Sequence, residues 1–363
     1  MTALSVKEAC WQSRVGIPVR NLWLLLFYAS DLFRHVGEKP AGMVKQPDEL
    51  PDLVAEILCS AVERRLRQNL SQGYVDKREV RTRVRGQVDF LRSESEGLFM
   101  RGQVACRFQE LTMNTPRNCF VKGALNHLAS LASSRKLRQR CRSLGARLEQ
   151  SGVTGRIPTR SQISTERFGR HDIQDRPMVA AAKLAFDLKM PTEEGEREVL
   201  FDLERDERWL RRLFEKAVAG FYDVVLPKPD WKVKGGAQHE WPISESSSGA
   251  RQIFPIMITD IEVQHPESGR QIIIDTKFTG ILVQNQYSQD KLKTDYIYQM
   301  YAYLRSRQET PGWLKPEGLL LHPSVGQSVD EYAMIQGHKV RFATVDLAAD
   351  HSVIRSNLLG VLN

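Results

Sequence analysis

The sequence lacks the signatures of several common classes of protein. Its most apolar segment, residues 22–29, is far shorter than the roughly 20 residues that a membrane-spanning helix needs. The N-terminus has no early apolar core and carries Lys7 and Glu8, so we expect no secretory signal. The five cysteines are widely spaced without a C-x-x-C pair, which argues against a disulfide framework or a zinc site. We therefore expect a cytoplasmic protein with reduced thiols and no membrane contact.

A nucleotide-binding loop of the form G-x-x-x-x-G-K-[ST] and internal repeats are also missing from the sequence. If the activity of the protein requires nucleotide hydrolysis, another chain has to carry it out. What the sequence does have is an ordinary globular composition, 41% hydrophobic and 26% charged, with a net charge of +8. This positive balance suits a polyanionic partner, although charge alone does not separate nucleic acid from an acidic protein.

A length of 363 residues allows two domains. Residues 190–197 combine proline, glycine and an acidic cluster, as is typical of a linker. We expect a boundary between residues 170 and 200 and divide the chain into domains 1–185 and 186–363.

The first domain shows mixed helical and strand periodicity. Residues 17–21 are predicted to be extended, with Asn21 capping an apolar helix. Residues 52–70 have helical spacing, and residues 74–90 alternate like a strand, which would place Arg81, Arg83 and Arg85 on one face. That face either is solvated or contacts DNA phosphates or an acidic partner.

Two further helices are predicted in this domain. One starts at the polar run 114–118, for which the pattern indicates capping but no chemistry. The other covers residues 135–147 and combines an apolar stripe with the most basic stretch of the chain. We expect this basic helix to attract a DNA backbone or a partner.

The second domain begins with a strong helical stripe over residues 201–225. Glu215 lies on its flank, either as a supporting acid or, as we favour, as a solvent-facing residue. Residues 228–249 are polar and rich in serine, glycine and proline, so we expect a flexible excursion there. Residues 318–323 and 339–347 are predicted to be strands, and residues 350–361 a final helix.

Two apolar runs in this domain end at acidic residues. Residues 271–274 read as a buried strand followed by Asp275 and Lys277, which share one face because strand side chains alternate. Residues 256–258 precede Asp260, and the turn-forming residues 264–270 between the runs predict a hairpin. Asp260, Asp275 and Lys277 should then meet at the edge of a sheet.

Metal-dependent phosphodiester hydrolysis needs such a trio. Two carboxylates can bind Mg²⁺ while the ion keeps waters for substrate phosphate. An ammonium can position the attacking water and stabilise developing charge. The alternative is an exposed ion pair with little effect. Glu262, two residues after Asp260, is either a further ligand or an exposed acid.

Residues 295–304 predict a helix on which Gln299 and Tyr303 are neighbours. Together with Asp260 and Asp275-x-Lys277, this pattern resembles the active site of PD-(D/E)xK nucleases with a Gln-x-x-x-Tyr helix. More narrowly, the sequence resembles the McrC family, the nuclease subunits of McrBC-type modification-dependent restriction systems. The matching motifs are Ile17-Pro18-Val19-Arg20-Asn21, Arg85-Gly86-Gln87-Val88-Asp89-Phe90, Asn114-Thr115 with Asn118, Thr259-Asp260-Ile261, Ile274-Asp275-Thr276-Lys277-Phe278 and Gln299-x-x-x-Tyr303.

The resemblance implies an α/β fold with a C-terminal restriction-endonuclease-like mixed sheet flanked by helices, preceded by an α+β domain. It implies a Mg²⁺-dependent endonuclease for double-stranded DNA, with Asp260 and Asp275 as metal ligands, Lys277 on the attacking water, and Gln299 and Tyr303 lining the site. It also implies an AAA+ NTPase partner, typically GTP-hydrolysing, which recognises modified DNA and is stimulated by the N-terminal domain.

Two other functions stay open at this point. The chain could be a non-catalytic adaptor that activates the NTPase and only holds DNA, although the presence of all three of Asp260, Asp275 and Lys277 argues against it. It could also be a stand-alone repair nuclease of RecB-like type, which the N-terminal motifs disfavour.

Overall fold

The computed structural model describes residues 19–36, 50–188, 203–284, 290–308, 313–324 and 328–363. The helices of these ranges are α1 (Val19–Tyr28), α2 (Asp31–Val36), α3 (Leu50–Arg67), α4 (Phe90–Ser95), α5 (Pro116–Leu131), α6 (Arg135–Gln150), α7 (Arg160–Ser164), α8 (Arg176–Asp187), α9 (Leu203–Val225), α10 (Ala250–Ile253), α11 (Thr294–Arg307) and α12 (His351–Gly360). The strands are β1 (Gly73–Arg81), β2 (Gln87–Val88), β3 (Val104–Thr112), β4 (Lys232–His239), β5 (Met257–His265), β6 (Arg270–Thr276), β7 (Leu282–Gln284), β8 (Asp290–Leu292), β9 (Glu317–Pro323), β10 (Asp330–Ile335) and β11 (His338–Val345). None of the described helices combines the length and the apolar character that a membrane span requires.

The chain divides into two compact units. The middle unit is Pro51–Lys189, and the terminal unit combines Met1–Leu50 with Met190–Asn363. The sequence predicted one domain boundary, at 185/186. In the structure the chain passes between the units twice, after Leu50 and after Lys189. The early residues join the terminal unit because α1 lies against α9 at backbone distance: a Cβ on Gly220 would come 2.1 Å from the carbonyl oxygen of Tyr28.

Asn21 has a different role from the predicted helix cap. It lies inside α1 and is buried. Its side-chain nitrogen donates hydrogen bonds to the carbonyl oxygens of Leu347 and Ala349, at 2.5 and 3.1 Å. Asn21 therefore attaches α1 to the segment after β11, a long-range contact that local sequence does not reveal. Residues 17 and 18 of the same motif lie outside the described residues.

A six-stranded mixed sheet forms the centre of the terminal unit, in the order β10-β11-β9-β6-β5-β4. β6 and β9 are parallel, as are β9 and β11, and the other neighbours are antiparallel. The predicted hairpin is confirmed because β5 and β6 pair antiparallel from His265–Arg270 to Ile261–Ile274. The predicted α/β class, a mixed sheet flanked by helices together with a smaller α+β region, is confirmed.

The expectation of a flexible excursion over residues 228–249 is wrong in its central part. Residues 232–239 form β4, which pairs with β5 at the edge of the sheet. The sequence Lys-Val-Lys-Gly-Gly-Ala-Gln-His lacks an apolar alternation because most side chains of this edge strand are exposed. Its strand structure comes from pairing with β5, which is a tertiary effect.

The middle unit contains a three-stranded antiparallel sheet in the order β1-β3-β2. Helices α6 and α8 of this unit both pack against α5. The prediction that Arg81, Arg83 and Arg85 share a strand face is wrong, since β1 ends at Arg81. The chain bends there, and the guanidinium groups of Arg81 and Arg85 both lie over the ring of Phe108, at 5.5 and 4.3 Å. Arg85 also pairs with Glu110 at 3.1 Å.

The polar run at 114–118 has a structural role. Thr115 caps α5 by accepting a hydrogen bond from the backbone of Asn118. The Asn118 side chain donates to the carbonyl oxygens of Ser71 and Met113, and Asn114 accepts from the backbone of Gly155 at 2.7 Å. The motif therefore joins the start of α5 to neighbouring loops.

A candidate active site where strands β5 and β6 separate

Asp260 and Asp275 lie at the point where the two strands of the hairpin part. The last paired residues are Ile261, which follows Asp260, and Ile274, which precedes Asp275, so the two aspartates lie just beyond the paired part of the hairpin. β6 stays with β9, because the backbone nitrogen of Lys277 donates to the carbonyl oxygen of Leu321 at 3.0 Å. The Asp260 carboxylate takes the place of a strand partner: its Oδ2 accepts from the backbone nitrogen and hydroxyl of Thr276, at 2.8 and 3.0 Å.

Asp275 is a fully buried carboxylate with incomplete hydrogen bonding. Lys277 Nζ lies 2.9 Å from each of its oxygens and donates a hydrogen bond to Oδ1. Oδ2 is buried and has no hydrogen-bond partner of its own within the described residues. Burial raises the pKa of Asp275 to about 6, with Asp260 acting in the same direction and Lys277 in the opposite one.

Helix α11 adds Gln299 and Tyr303 to this group. Gln299 Oε1 accepts from Lys277 Nζ at 3.2 Å, and its amide nitrogen donates to the Tyr303 hydroxyl at 2.7 Å. That hydroxyl donates in turn to the carbonyl oxygen of Ile258 on β5, at 2.8 Å. The helix lies close to the sheet because Gly318 on β9 has no side chain; a Cβ there would come 2.7 Å from the Met300 sulfur. All five predicted site residues are therefore brought together.

Glu215 belongs to the same group, contrary to the solvent-facing position that the sequence favoured. The side chain is half-buried on α9, while the neighbouring Lys216 is exposed. Burial raises the pKa of Glu215, and the negative charges of Asp260 and Asp275 raise it further. Three carboxylates thus share one region of negative potential, which would favour a cation.

Glu262 has other partners. The residue is 3% exposed, and its Oε1 lies 2.5 Å from His239 Nε2 and accepts from the Thr259 hydroxyl at 3.1 Å. Because these contacts engage the carboxylate, the structure favours a structural role over the further ligand considered from the sequence.

Two residues near the site were not expected from the sequence. Tyr296 lies one helical turn before Gln299, and its ring centroid is 5.3 Å from Lys277 Nζ. His322 is the last residue but one of β9, and its ring centroid is 5.8 Å from that of Tyr296. The sequence contained a weak indication of each. Tyr296 is at i−3 from Gln299, and His322 is near the carboxyl end of β9, which is parallel to β6 and ends at the same edge of the sheet as Asp275.

His322 is held as a neutral imidazole. Its Nδ1 lies 2.8 Å from the carbonyl oxygen of Thr279, which fixes that nitrogen as the donor. Burial lowers the pKa of His322 to about 4, and the nearby Lys277 and Lys293 lower it as well.

The side chains of the site could supply only some of the oxygen ligands that a hard cation needs. Within the described ranges, no cluster of three or more His, Cys, Asp or Glu side chains is arranged to hold an ion by itself. Mg²⁺ does not require such a cluster, since it is commonly bound by one or two carboxylates, waters and substrate phosphate. The free Oδ2 of Asp275 beside Asp260 fits this mode of binding.

Comparisons with known proteins agree on one family. A family model described as McrBC 5-methylcytosine restriction system component matches residues 12–323. The chain is 24% identical over 358 residues to the type IV methyl-directed restriction enzyme EcoKMcrBC of Escherichia coli K12, covering 96% of this chain and 97% of the relative.

Two solved assemblies from Thermococcus gammatolerans are also similar. One is a half-complex of McrB AAA+ hexamers with bound McrC, at a TM-score of 0.45 and 14% identity, covering 95% of this chain and 75% of the matched one. The other is an McrBC complex at a TM-score of 0.35 and 13% identity, covering 58% and 59%. Since both scores are below 0.5, the fold assignment rests on the strand order and registers described above.

Proposed function

The chain belongs to the family of McrBC 5-methylcytosine restriction system components, and we propose that it is the DNA-cleaving subunit of such a system. The motifs that indicated the McrC family are thereby confirmed at the level of the family. The finer proposal is a Mg²⁺-dependent endonuclease of the PD-(D/E)xK type that cuts double-stranded DNA after assembly with an AAA+ NTPase. The observation that supports it most is the half-satisfied, buried carboxylate of Asp275 inside the network of Lys277, Gln299 and Tyr303.

Asp260 and Asp275 would hold the metal. Mg²⁺, when bound, would polarise the scissile phosphate and lower the pKa of a coordinated water. Asp275 offers an oxygen that has no hydrogen bond of its own, and burial raises the pKa of its carboxyl to about 6. Asp260 is oriented by Thr276, which leaves its other oxygen for a ligand.

Lys277 would act on the attacking water and on developing negative charge. Its ammonium is oriented by Asp275 and by Gln299 Oε1. Gln299 is fixed in turn by Tyr303, whose hydroxyl is anchored on the Ile258 carbonyl oxygen. This chain of contacts preorganises the cation for a charge that appears only in the transition state.

The proposed partner is an AAA+ NTPase, as the resemblance to the McrC family implies. The chain has no phosphate-binding loop of the G-x-x-x-x-G-K-[ST] type. We expect the partner to recognise methylated DNA and to hydrolyse GTP. Stimulation of that hydrolysis is assigned to the N-terminal part of the chain.

The test combines the purified chain with its AAA+ partner, GTP, Mg²⁺ and a plasmid that carries 5-methylcytosine. Wild-type protein and Asp330→Asn, which alters only a surface pair with Arg341, should cut the plasmid. Asp275→Asn should not cut it, yet should stimulate GTP hydrolysis as well as wild type does.

Each other outcome has a distinct meaning. Cutting by Asp275→Asn at the wild-type rate would refute the assigned site. Stimulation of the partner without cutting by the wild type would support the adaptor alternative. Cutting by the chain alone would support the stand-alone nuclease.

A further inference from the structure

Helix α6 carries six basic residues, which the structure divides between two flanks. The helix is held in place by its apolar side, where Cys141, Leu144 and Leu148 are buried. At 100° per residue, the basic residues fall on either side of this buried stripe. They are Arg135, Lys136, Arg138, Arg140, Arg142 and Arg147.

One flank faces α3 and meets acidic residues. Arg140 donates to Glu63 at 2.7 and 2.8 Å and to Glu56 at 2.7 Å. Hydrogen bonds from Arg140 lower the pKa of Glu63, and the charge of Arg147 lowers it further. On this side Arg140 is therefore balanced by Glu56 and Glu63 within the middle unit.

The opposite flank has no such balance. Arg135, Arg138 and Arg142 follow the i, i+3, i+7 pattern of one helical stripe and are exposed. In the part of the chain that the structure describes, no carboxylate lies within salt-bridge distance of any of the three. The stripe extends over about 10 Å of helix, at 1.5 Å per residue. Three unpaired guanidinium groups at this spacing repel one another and would be stabilised by a row of anions.

The residues around the stripe indicate which anion. Its exposed neighbours on α6 are Gln139, Ser143 and Ala146, with Glu149 two turns beyond Arg142, and none of the large exposed apolar residues of the described chain lies on this helix. Protein interfaces usually need aromatic or aliphatic anchors at their centre. Arginine, glutamine and serine are the side chains that commonly contact DNA phosphates.

We infer that Arg135, Arg138 and Arg142 bind the phosphate backbone of duplex DNA, away from the chemistry and without regard to sequence. The inference rests on the proposed function, since that function makes DNA the substrate. The planar guanidinium fork suits phosphate oxygens, and release of counterions provides the free energy.

The experiment measures binding of the full-length chain to a short fluorescent duplex by anisotropy across a salt series, with EDTA present to prevent cutting. Arg135→Gln/Arg138→Gln/Arg142→Gln is compared with Arg64→Gln/Lys136→Gln/Arg147→Gln, which removes the same charge from exposed positions of α3 and of the opposite flank of α6. Each lost phosphate contact should reduce the slope of log affinity against log salt by about 0.9, so the stripe variant should lose about 2 to 3. The control should lose less than about 1.

Equal losses in the two variants would overturn the inference, because net charge alone would then explain binding. An unchanged slope in the stripe variant, with weakened binding of the AAA+ partner, would overturn it in favour of a protein surface. Binding is measured in EDTA without cutting, and Asp330→Asn, at a surface pair with Arg341, should keep the wild-type slope. A failure of the proposed catalytic site and a failure of this DNA contact are thus visible separately.

A second observation, independent of α6, concerns Tyr296 in the candidate active site. Its ring centroid is 5.3 Å from the ammonium groups of both Lys277 and Lys293. The hydroxyl makes only long contacts, 3.4 Å to the Thr279 hydroxyl and 3.5 Å to Lys293 Nζ. Tyr296 therefore contacts Lys277 through its ring, because cation–π attraction acts at this distance. The contacts of its hydroxyl, with Thr279 and Lys293, are long and weak.

We propose that Tyr296 is a positioning residue that holds Lys277 through its ring. This proposal also rests on the proposed function. Tyr296→Leu should lower the single-turnover rate of cutting by the assembled complex about tenfold, with DNA affinity unchanged, as loss of a partly buried cation–π contact predicts. Tyr296→Phe, which keeps the ring, should retain nearly the wild-type rate. Tyr298→Leu, at an exposed position of the same helix, is the control.

A rate for Tyr296→Phe as low as that for Tyr296→Leu would overturn the role of the ring. So would a wild-type rate for Tyr296→Leu. If wild type itself does not cut, the proposed function has failed rather than the role of Tyr296.

Discussion

Two buried aspartates, one in each unit, differ in how completely their carboxylate oxygens are hydrogen-bonded. Asp175 in the middle unit is fully buried and has partners for both oxygens. Arg65 donates to Oδ1 at 2.6 Å, while Arg117 donates to Oδ2 at 2.9 Å and the Ser71 hydroxyl contacts the same oxygen. Asp275 in the terminal unit is equally buried, yet only its Oδ1 is hydrogen-bonded.

The two carboxylates differ in whether an oxygen is still available for a hydrogen bond or a metal ion. A buried charge whose hydrogen bonds are complete fixes neighbouring elements and has no remaining ligand capacity. A buried carboxylate with a free oxygen costs desolvation energy that folding alone does not recover, which is why its pKa is raised to about 6. Such a cost is commonly found where a cation or a substrate supplies the missing partner.

The largest expected effect on this contrast comes from neutralising Asp275. Asp275→Asn should reduce cutting by the assembled complex at least about a hundredfold, since even indirect contacts to a metal site are worth 10- to 100-fold. Its thermal unfolding midpoint should change little, because the substitution removes a buried charge. Plasmid cleavage and thermal melts measure the two effects, and a large loss of stability with normal cutting would reverse the roles assigned to the two aspartates.

Asp175→Asn should show the opposite pattern. Neutralising Asp175 leaves the buried Arg65 without a carboxylate partner, while Arg117 keeps Glu166 and Asp172, and the expected cost is about 3 kcal/mol in the free energy of unfolding. Chemical denaturation gives this quantity. Where the variant remains folded, its terminal unit should bind metal normally. A loss of less than about 1 kcal/mol would show that the network is not structural.

Much of the terminal unit was predictable because its sequence signals are local. The three consecutive isoleucines of β6, the turn residues before them and the helical stripe of α11 depend on neighbours along the chain. The meeting of Asp260, Asp275 and Lys277 followed from these elements, since strand alternation fixes which side chains share a face. Gln299 and Tyr303 were neighbours by helical spacing, and only the family resemblance assigned them to the same site.

What was missed depends on contacts between distant segments. Asn21 bonds to residues more than 300 positions away, and β4 is a strand only because β5 lies beside it. Glu215 looked like a surface residue because its partners lie on other elements. The bend after Arg81 is set by contact with Phe108 on β3, which periodicity along β1 does not show.

A smaller effect concerns the pH dependence of stability in the terminal unit. His322 has a pKa of about 4 in the folded protein, below the ordinary 6.5, so the folded state binds fewer protons than the unfolded state between these values. Stability from this group is present above pH 6.5 and is lost as pH falls toward 4. At pH 5 the loss should be on the order of 2 kcal/mol.

Denaturation of wild type and His322→Gln at pH 7 and pH 5 measures this difference. The difference between the two proteins removes the contribution of other groups, including the opposite one from Asp275. Equal losses of stability in both proteins would contradict a neutral, buried His322.

The smallest expected effect is at Glu215, which has no direct ligand role in the proposal. Glu215→Gln removes one of three negative charges around the site and should weaken Mn²⁺ binding about tenfold, at the lower end for indirect contacts to a metal. Glu245→Gln, at an exposed position, is the matched control. An unchanged Mn²⁺ affinity would place Glu215 outside the functional group.

The most direct test of the contrast between the two aspartates is a Mn²⁺ titration of the full-length chain, read by electron paramagnetic resonance. Mn²⁺ shares the preference of Mg²⁺ for oxygen ligands and needs neither the partner nor DNA for detection. Wild type and Asp330→Asn should bind the ion, and binding should be lost in both Asp260→Asn and Asp275→Asn. Mn²⁺ binding by Asp275→Asn with the affinity of wild type would contradict the account.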